Sequence, residues 1–146
     1  MKHVNPYSNK IRRGACVILM RQDGKVLLHL RSKEAWIYAG FWALVGGGVE
    51  KGESSHAAMR RECLEELGFL LFEHKLFNRA WHRKCGVRVL DDTYIARWYP
   101  WQRLRLCEGE EIRWFNVEDA LRLSNLPPHE HEVLTMLRNQ RRRLAA

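Results

Sequence analysis

Residues 47–69 read GGVEKGESSHAAMRRECLEELGF, and the fold is decided in this stretch. From Ser54 to Leu67 there is no Gly or Pro and helix formers dominate. Ser54 or Ser55 can cap the start, and Gly68 can end the helix. On a helix with Ala57 at zero, Glu65, Glu62 and Glu66 fall near about 80°, about 140° and about 180°. Met59, Cys63, Leu64 and Leu67 fall between about 200° and about 340°, the face that would pack on a sheet. The spacing thus predicts three carboxylates on one face, turned away from the core. Just upstream, Gly46, Gly47 and Gly48 predict a turn, because neither helix nor strand interiors favour consecutive glycines.

Carboxylates at i, i+3 and i+4 repel, at a cost of about a few tenths of a kcal/mol per pair. Two readings of the face follow. It is either a solvated surface bridged by Arg60 and Arg61, or a seat for a hard divalent cation, since Mg²⁺ is held by one or two carboxylates plus substrate phosphates. The charge distribution sharpens the question. The 146 residues carry 25 Lys and Arg against 17 Asp and Glu, a net charge of +8. Residues 47–68 hold Glu50, Glu53, Glu62, Glu65 and Glu66 against Lys51, Arg60 and Arg61, a net of −2, which leaves +10 on the remainder. A basic exterior is consistent with an anionic partner and equally with ordinary solubility.

Working outward, residues 14–20 (GACVILM) and 26–30 (VLLHL) are short apolar runs around turn residues 22–25, which predicts two strands joined as a hairpin. Residues 31–40 predict a loop. Residues 69–81, 87–99 and 112–115 predict strands, 117–123 a short helix and 130–144 a last helix after Pro127 and Pro128. The order predicts an α/β (α+β) class fold, a mixed sheet sandwiched by helices, as a single domain over residues 1–146. No apolar run approaches the roughly 20 residues of a membrane span. The start, MKHVNPYSNKIRR, has no apolar leader core. Cys16, Cys63, Cys85 and Cys107 are scattered without a C-x-x-C pair, which predicts reduced thiols in a cytoplasmic chain, a monomer or homodimer. His29, His56, His74 and His82 show no metal-like spacing, which predicts surface positions or satisfied hydrogen bonds.

With Gly47, Glu53, Arg61, Glu62, Cys63, Glu65, Glu66, Gly68 and Phe69 at these spacings, residues 47–69 resemble the Nudix box, G-x5-E-x7-R-E-U-x-E-E-x-G-U, and fill all nine fixed positions. Cys63 stands where an aliphatic residue is usual, and Val45 where proline often precedes the glycines. Residues 40–44 and 113–117 also resemble the family. The resemblance implies the Nudix α/β/α sandwich with a mixed central sheet and the box as loop–helix–loop. It further implies an Mg²⁺-dependent hydrolase, with Mn²⁺ as the alternative ion, that cuts a phosphoanhydride in a nucleotide derivative by water attack at phosphorus. By position it implies Glu62, Glu65 and Glu66 as metal ligands with the Gly46 carbonyl as a further one, and Glu53 paired with Arg61. The base is then a box glutamate or an acid outside the box, where Glu108 and Glu111 precede Trp114 and Glu108 has the better spacing.

The substrate is less defined. The proline and long signatures of the ADP-ribose, NADH and coenzyme A enzymes are missing, which favours a MutT-like (d)NTP pyrophosphohydrolase. A nucleotide-sugar, dinucleotide or RNA 5′-end pyrophosphohydrolase is the alternative, and a non-catalytic nucleotide sensor the reading from another class. Residues 126–130 (LPPHE) resemble the stretch after which MutT-type enzymes place an asparagine that reads the purine edge. Glu130 or His129 stands there, and an acid lacks the donor and acceptor pair of an amide. Gly47 borders the expected substrate site. Trp36, Tyr38, Phe41 and Trp42 either stack on a base or pack in core and loop. Beyond an RNA 5′ end the reading implies neither nucleic acid nor membrane as partner.

Overall fold

Side chains of the first strand alternate between two cores, and this alternation organises the fold. A computed structural model describes residues 12–146, so the polar start, and with it the expectation about a leader, lies largely outside the described residues. Strand β1 (Arg12–Met20) sends Ala15, Val17 and Leu19 into a cluster with Ala58, Met59, Cys63 and Leu67 of helix α1 (Ser55–Leu67). Its Ile18 joins Val133, Leu134 and Leu137 of the last helix on the opposite face. Period-two alternation in a strand buried on both sides thus builds helix, sheet and helix layers.

The remaining elements are β2 (Val26–Leu30), β3 (Trp42–Ala43), β4 (Val45–Gly48), β5 (Lys75–Lys84), β6 (Val87–Arg97), β7 (Glu111–Phe115), α2 (Val117–Leu121) and α3 (Pro128–Ala145). β1 runs parallel to β6, and all other pairings are antiparallel, so the sheet is mixed. Its path is β3-β2-β1-β6-β5, with β4 on β1 and β7 on β2. No helix among the described residues is long and apolar enough to cross a membrane.

Two expectations are corrected here. The hairpin of β1 and β2 closes only at its base, where Met20 pairs with Val26. Beyond that point the strands splay, and residues 42–48 enter the gap, β3 pairing with β2 and β4 with β1. The glycine triplet is therefore strand, with Gly46, Gly47 and Gly48 opposite Cys16, Ala15 and Gly14, and no turn forms there. The reason is close approach. A Cβ on Gly46 would collide with the Ala15 carbonyl and lie 2.5 Å from Cys16 Cα. Glycine is required here to fit a strand into a narrow slot.

Helix α1 begins and ends as its sequence predicts. Ser54 Oγ accepts from the Ala57 amide, and Gly68 in the left-handed region donates its N–H to the Leu64 carbonyl. Ser55 in the first turn is buried and donates to Asp92 Oδ2 at 2.6 Å, while Arg79 gives that carboxylate two further hydrogen bonds, at 2.6 and 2.9 Å. Asp92 thereby fastens α1 to β5 and β6, and its paired cations hold its carboxyl below the usual range, the Arg79 hydrogen bonds first among the causes.

Candidate active site

The loop between β4 and α1 is shaped by one arginine. Arg61 donates from Nε to Glu53 Oε2 at 2.8 Å and from Nη2 to Glu53 Oε1 at 3.0 Å, a two-pronged pairing. Its Nη2 also reaches the Gly48 carbonyl at 2.9 Å, and its Nη1 reaches Glu62 Oε1 at 2.9 Å and Glu65 Oε2 at 3.3 Å. One guanidinium thus ties the end of β4, the loop acid and two acids of α1 together. The hydrogen bonds from Arg61 hold the Glu53 carboxyl below its ordinary range.

Three acids then gather beside β2 and β4. Glu66 Oε2 accepts a long hydrogen bond from the Gly46 amide at 3.4 Å and lies 3.8 Å from His29 Nε2. Glu66 is buried, and burial pushes its carboxyl up to about 9, the fields of Glu62 and Glu108 adding to the effect. Burial also raises Glu62, against the pull of Arg61. His29 is buried too and is pushed down to about 4, so it stands neutral opposite Glu66 near pH 7. Gly47 lies so close to Glu62 that a Cβ would collide with the Glu62 carboxylate.

This geometry overturns the outward-facing acid cluster. Glu65 is exposed, but Glu66 is closed in by the glycine strand and His29, whereas Leu64, expected on the packing face, is half exposed. Because β4 is made of glycine next to α1, helix and strand approach closely enough to enclose an acidic position. His29 went unrecognised in the sequence. The available signal was a histidine in VLLHL, a run whose first four residues are all buried.

Two hollows share Arg31 as a lining residue. The first, about 290 Å³, is lined by His29, Trp36, Glu66, Glu108 and Gly109 among others, and so brings Glu108 to the box acids while leaving Glu111 out. Glu111 instead accepts from Arg113. The second, about 300 Å³, is lined by Gly46, Gly47, Tyr38, Asp91, His129 and Glu130, with Arg12, Arg13, Arg31 and Lys84 giving it a cationic rim. Burial raises the Glu130 carboxyl. Phe41 does not line this cleft. It packs on Tyr38 at 5.2 Å, and Tyr38 occupies the wall. Trp42 lies in the α3 core against Phe115.

The expectation that the histidines lack a ligand-like grouping is also corrected. His82 meets Asp91 and His129, with ligand atoms within 4.8 Å of one another. His56 and His74 share a hydrogen bond of 2.7 Å over Tyr94. These groupings form across paired strands and packed helices, His82 and Asp91 on the β5–β6 hairpin with His129 from α3, so the sequence carried no metal-like spacing for them. All four cysteines are free.

Glu62, Glu65 and Glu66 offer hard oxygen donors. Glu66 has only a neutral imidazole and one long amide contact beside it, and its carboxyl is raised by burial and by the fields of Glu62 and Glu108. A buried acid beside two others, whose ionised form a cation would stabilise, fits a hard divalent ion of the Mg²⁺ kind.

A helix-flanked mixed sheet displaying an arginine-tied glutamate cluster from a loop–helix–loop defines the class of protein. The NUDIX domain family matches residues 10–137, and the chain belongs to that family. It is similar to nucleoside triphosphatase NudI of Escherichia fergusonii, 45% identical over 71 residues, 49% of each chain, so it spans about half the length of that curated relative. In fold it resembles the MutT protein of Methanosarcina mazei, with a TM-score of 0.82, 20% identity, and 92% of this chain and 97% of that one covered. A MutT Nudix hydrolase of Burkholderia pseudomallei is 28% identical with a TM-score of 0.75, covering 86% of this chain and 97% of that one.

Proposed function

We propose that the chain is a metal-dependent pyrophosphohydrolase of MutT type that cleaves a phosphoanhydride in a nucleoside triphosphate, acting as a single domain over residues 1–146 in the cytoplasm. One observation carries this reading. The Glu62 and Glu66 carboxylates meet at Gly46 and Gly47, where a cleft with a cationic rim begins. The NudI and MutT likenesses support the nucleotide class.

In this reading Glu62, Glu65 and Glu66, with the Gly46 carbonyl, hold Mg²⁺ or Mn²⁺. When bound, the ion neutralises charge on the phosphates and makes the attacking water more acidic. Arg61 and Glu53 fix the loop and aim the carboxylates. Glu108, in the hollow with Glu66, accepts the proton of the water. Arg12, Arg13, Arg31 and Lys84 on the cleft rim attract the polyphosphate. Glu130, whose carboxyl burial raises, faces the polar edge of the base from the cleft wall, and Tyr38 provides a flat wall for the ring. Trp36 is part of the lining of the acid hollow.

A panel of nucleoside triphosphates, nucleotide sugars, dinucleotides and 5′-triphosphorylated RNA, assayed with Mg²⁺ for released pyrophosphate and phosphate, tests this. The expected result is pyrophosphate and a nucleoside monophosphate from one or more triphosphates. Turnover confined to nucleotide sugars, dinucleotides or RNA ends would replace the substrate assignment, and nucleotide binding without any hydrolysis would replace the enzyme by a sensor.

A further inference from the structure

On the far side of the cleft from the box acids, three side chains from three different elements converge. His82 of the edge strand β5, Asp91 of β6 and His129 in the first turn of α3 bring one ligand atom each within 4.8 Å of the others. Asp91 Oδ2 accepts from His82 Nε2 and lies 3.8 Å from His129 Nε2. Asp91 and His129 are buried, and both line the cleft. His129 is poorly served by its surroundings. Its Nδ1 is buried with no hydrogen-bond partner among the described residues, and its Nε2 has only a long contact of 3.4 Å to Thr93 Oγ1.

We propose that His82, Asp91 and His129 form a binding site for a borderline transition-metal ion of the Zn²⁺ kind, separate from the carboxylates of α1. The donor chemistry separates the two. Two imidazoles and one carboxylate favour Zn²⁺ and its neighbours, while an all-oxygen set favours Mg²⁺. Three protein ligands with a fourth position left for water is the arrangement of zinc sites that are not purely structural. Tetrahedral ligands about 2.0–2.2 Å from zinc stand roughly 3.3 Å apart, closer than the 4.8 Å within which the three atoms now lie, so the set must contract around an ion.

One rearrangement is needed. The two imidazoles stack, 4.1 Å apart and 6° from parallel, so a ligand lone pair, which lies in its ring plane, cannot from both rings meet at one ion. His82 must turn out of the stack. Its place on an edge strand, with a side chain 14% exposed, leaves room for that. The Nε2–H that donates to Asp91 is given up as the ion enters, to Nδ1 by way of water or to solvent, and the ion takes the place of that proton between His82 and Asp91.

The test uses the untagged, metal-free chain in excess Mg²⁺, which saturates hard-oxygen sites. Equilibrium dialysis against Zn²⁺ should show one more bound equivalent in the wild type than in His82→Gln, a substitution at a partly exposed position of the edge strand. Equal Zn²⁺ stoichiometry would overturn the site. A second measurement needs no variant. Co²⁺ added to the wild type should give the intense visible bands of a four-coordinate ion, and only the weak spectrum of six-coordinate Co²⁺ would contradict the assignment.

Discussion

Arg61 holds Glu53, Glu62, Glu65 and the Gly48 carbonyl at once, and a lysine keeps the charge without the planar fork. Arg61→Lys should therefore keep the fold and lower kcat by about 10- to 100-fold, the usual cost of losing a group that orients metal ligands. Steady-state kinetics alongside a thermal melt checks this, and a loss confined to KM would argue against the orienting role. The box residues were legible at this scale because their spacing is local. His29 and Asp91 were not, because each acquires its partners only on folding, His29 from α1 and Asp91 from the facing strand of the β5–β6 hairpin and from α3. Glu66 was legible in identity and misread in exposure, since a helical wheel gives direction around an axis and says nothing about what a neighbouring strand encloses.

At the scale of elements, β4 is the piece that positions the site, and its glycines differ in what they tolerate. A methyl at Gly46 meets backbone of β1, which cannot move aside, whereas one at Gly47 meets the end of the Glu62 side chain. Gly46→Ala should cost stability, about 2 kcal/mol or more by calorimetry. Gly47→Ala should leave the melting temperature nearly unchanged and reduce turnover, as the displaced carboxylate loses its position. The Asp92 junction of α1, β5 and β6 gives a pH signature. Its carboxyl is held below its ordinary value of 3.8, so its contribution is present above that value and is lost as pH falls through the lower folded one. Asp92→Asn should cost about 2 kcal/mol at pH 7 and flatten the acid side of the stability profile measured by urea titration. Residues 55–67 were readable as a helix because caps and composition agree, while the strand made of glycine was not, because its conformation is imposed by the slot between β1 and β2.

Over the whole molecule, the net charge of +8 acquires a spatial meaning. Glu66 and Glu108 line one hollow, and basic residues rim the neighbouring cleft, so in the proposed reading a polyphosphate would be drawn towards a site that also takes a cation. With free Mg²⁺ held constant, kcat/KM should fall at least about tenfold between about 0.01 M and about 1 M salt, as screening shortens the reach of that field. The layer order was legible from the run of strands and helices, but the insertion of residues 42–48 between β1 and β2 was not, since it depends on the strands splaying beyond one pair. Mg²⁺-dependent release of pyrophosphate from nucleoside triphosphates, compared between the wild type and Glu66→Gln, tests the metal-held carboxylate site itself. Wild-type turnover that rises with Mg²⁺ and falls by about 1,000-fold in a folded Glu66→Gln variant is the expected result, consistent with losing several kcal/mol of transition-state stabilisation. An unchanged rate in the variant at saturating Mg²⁺ would contradict it.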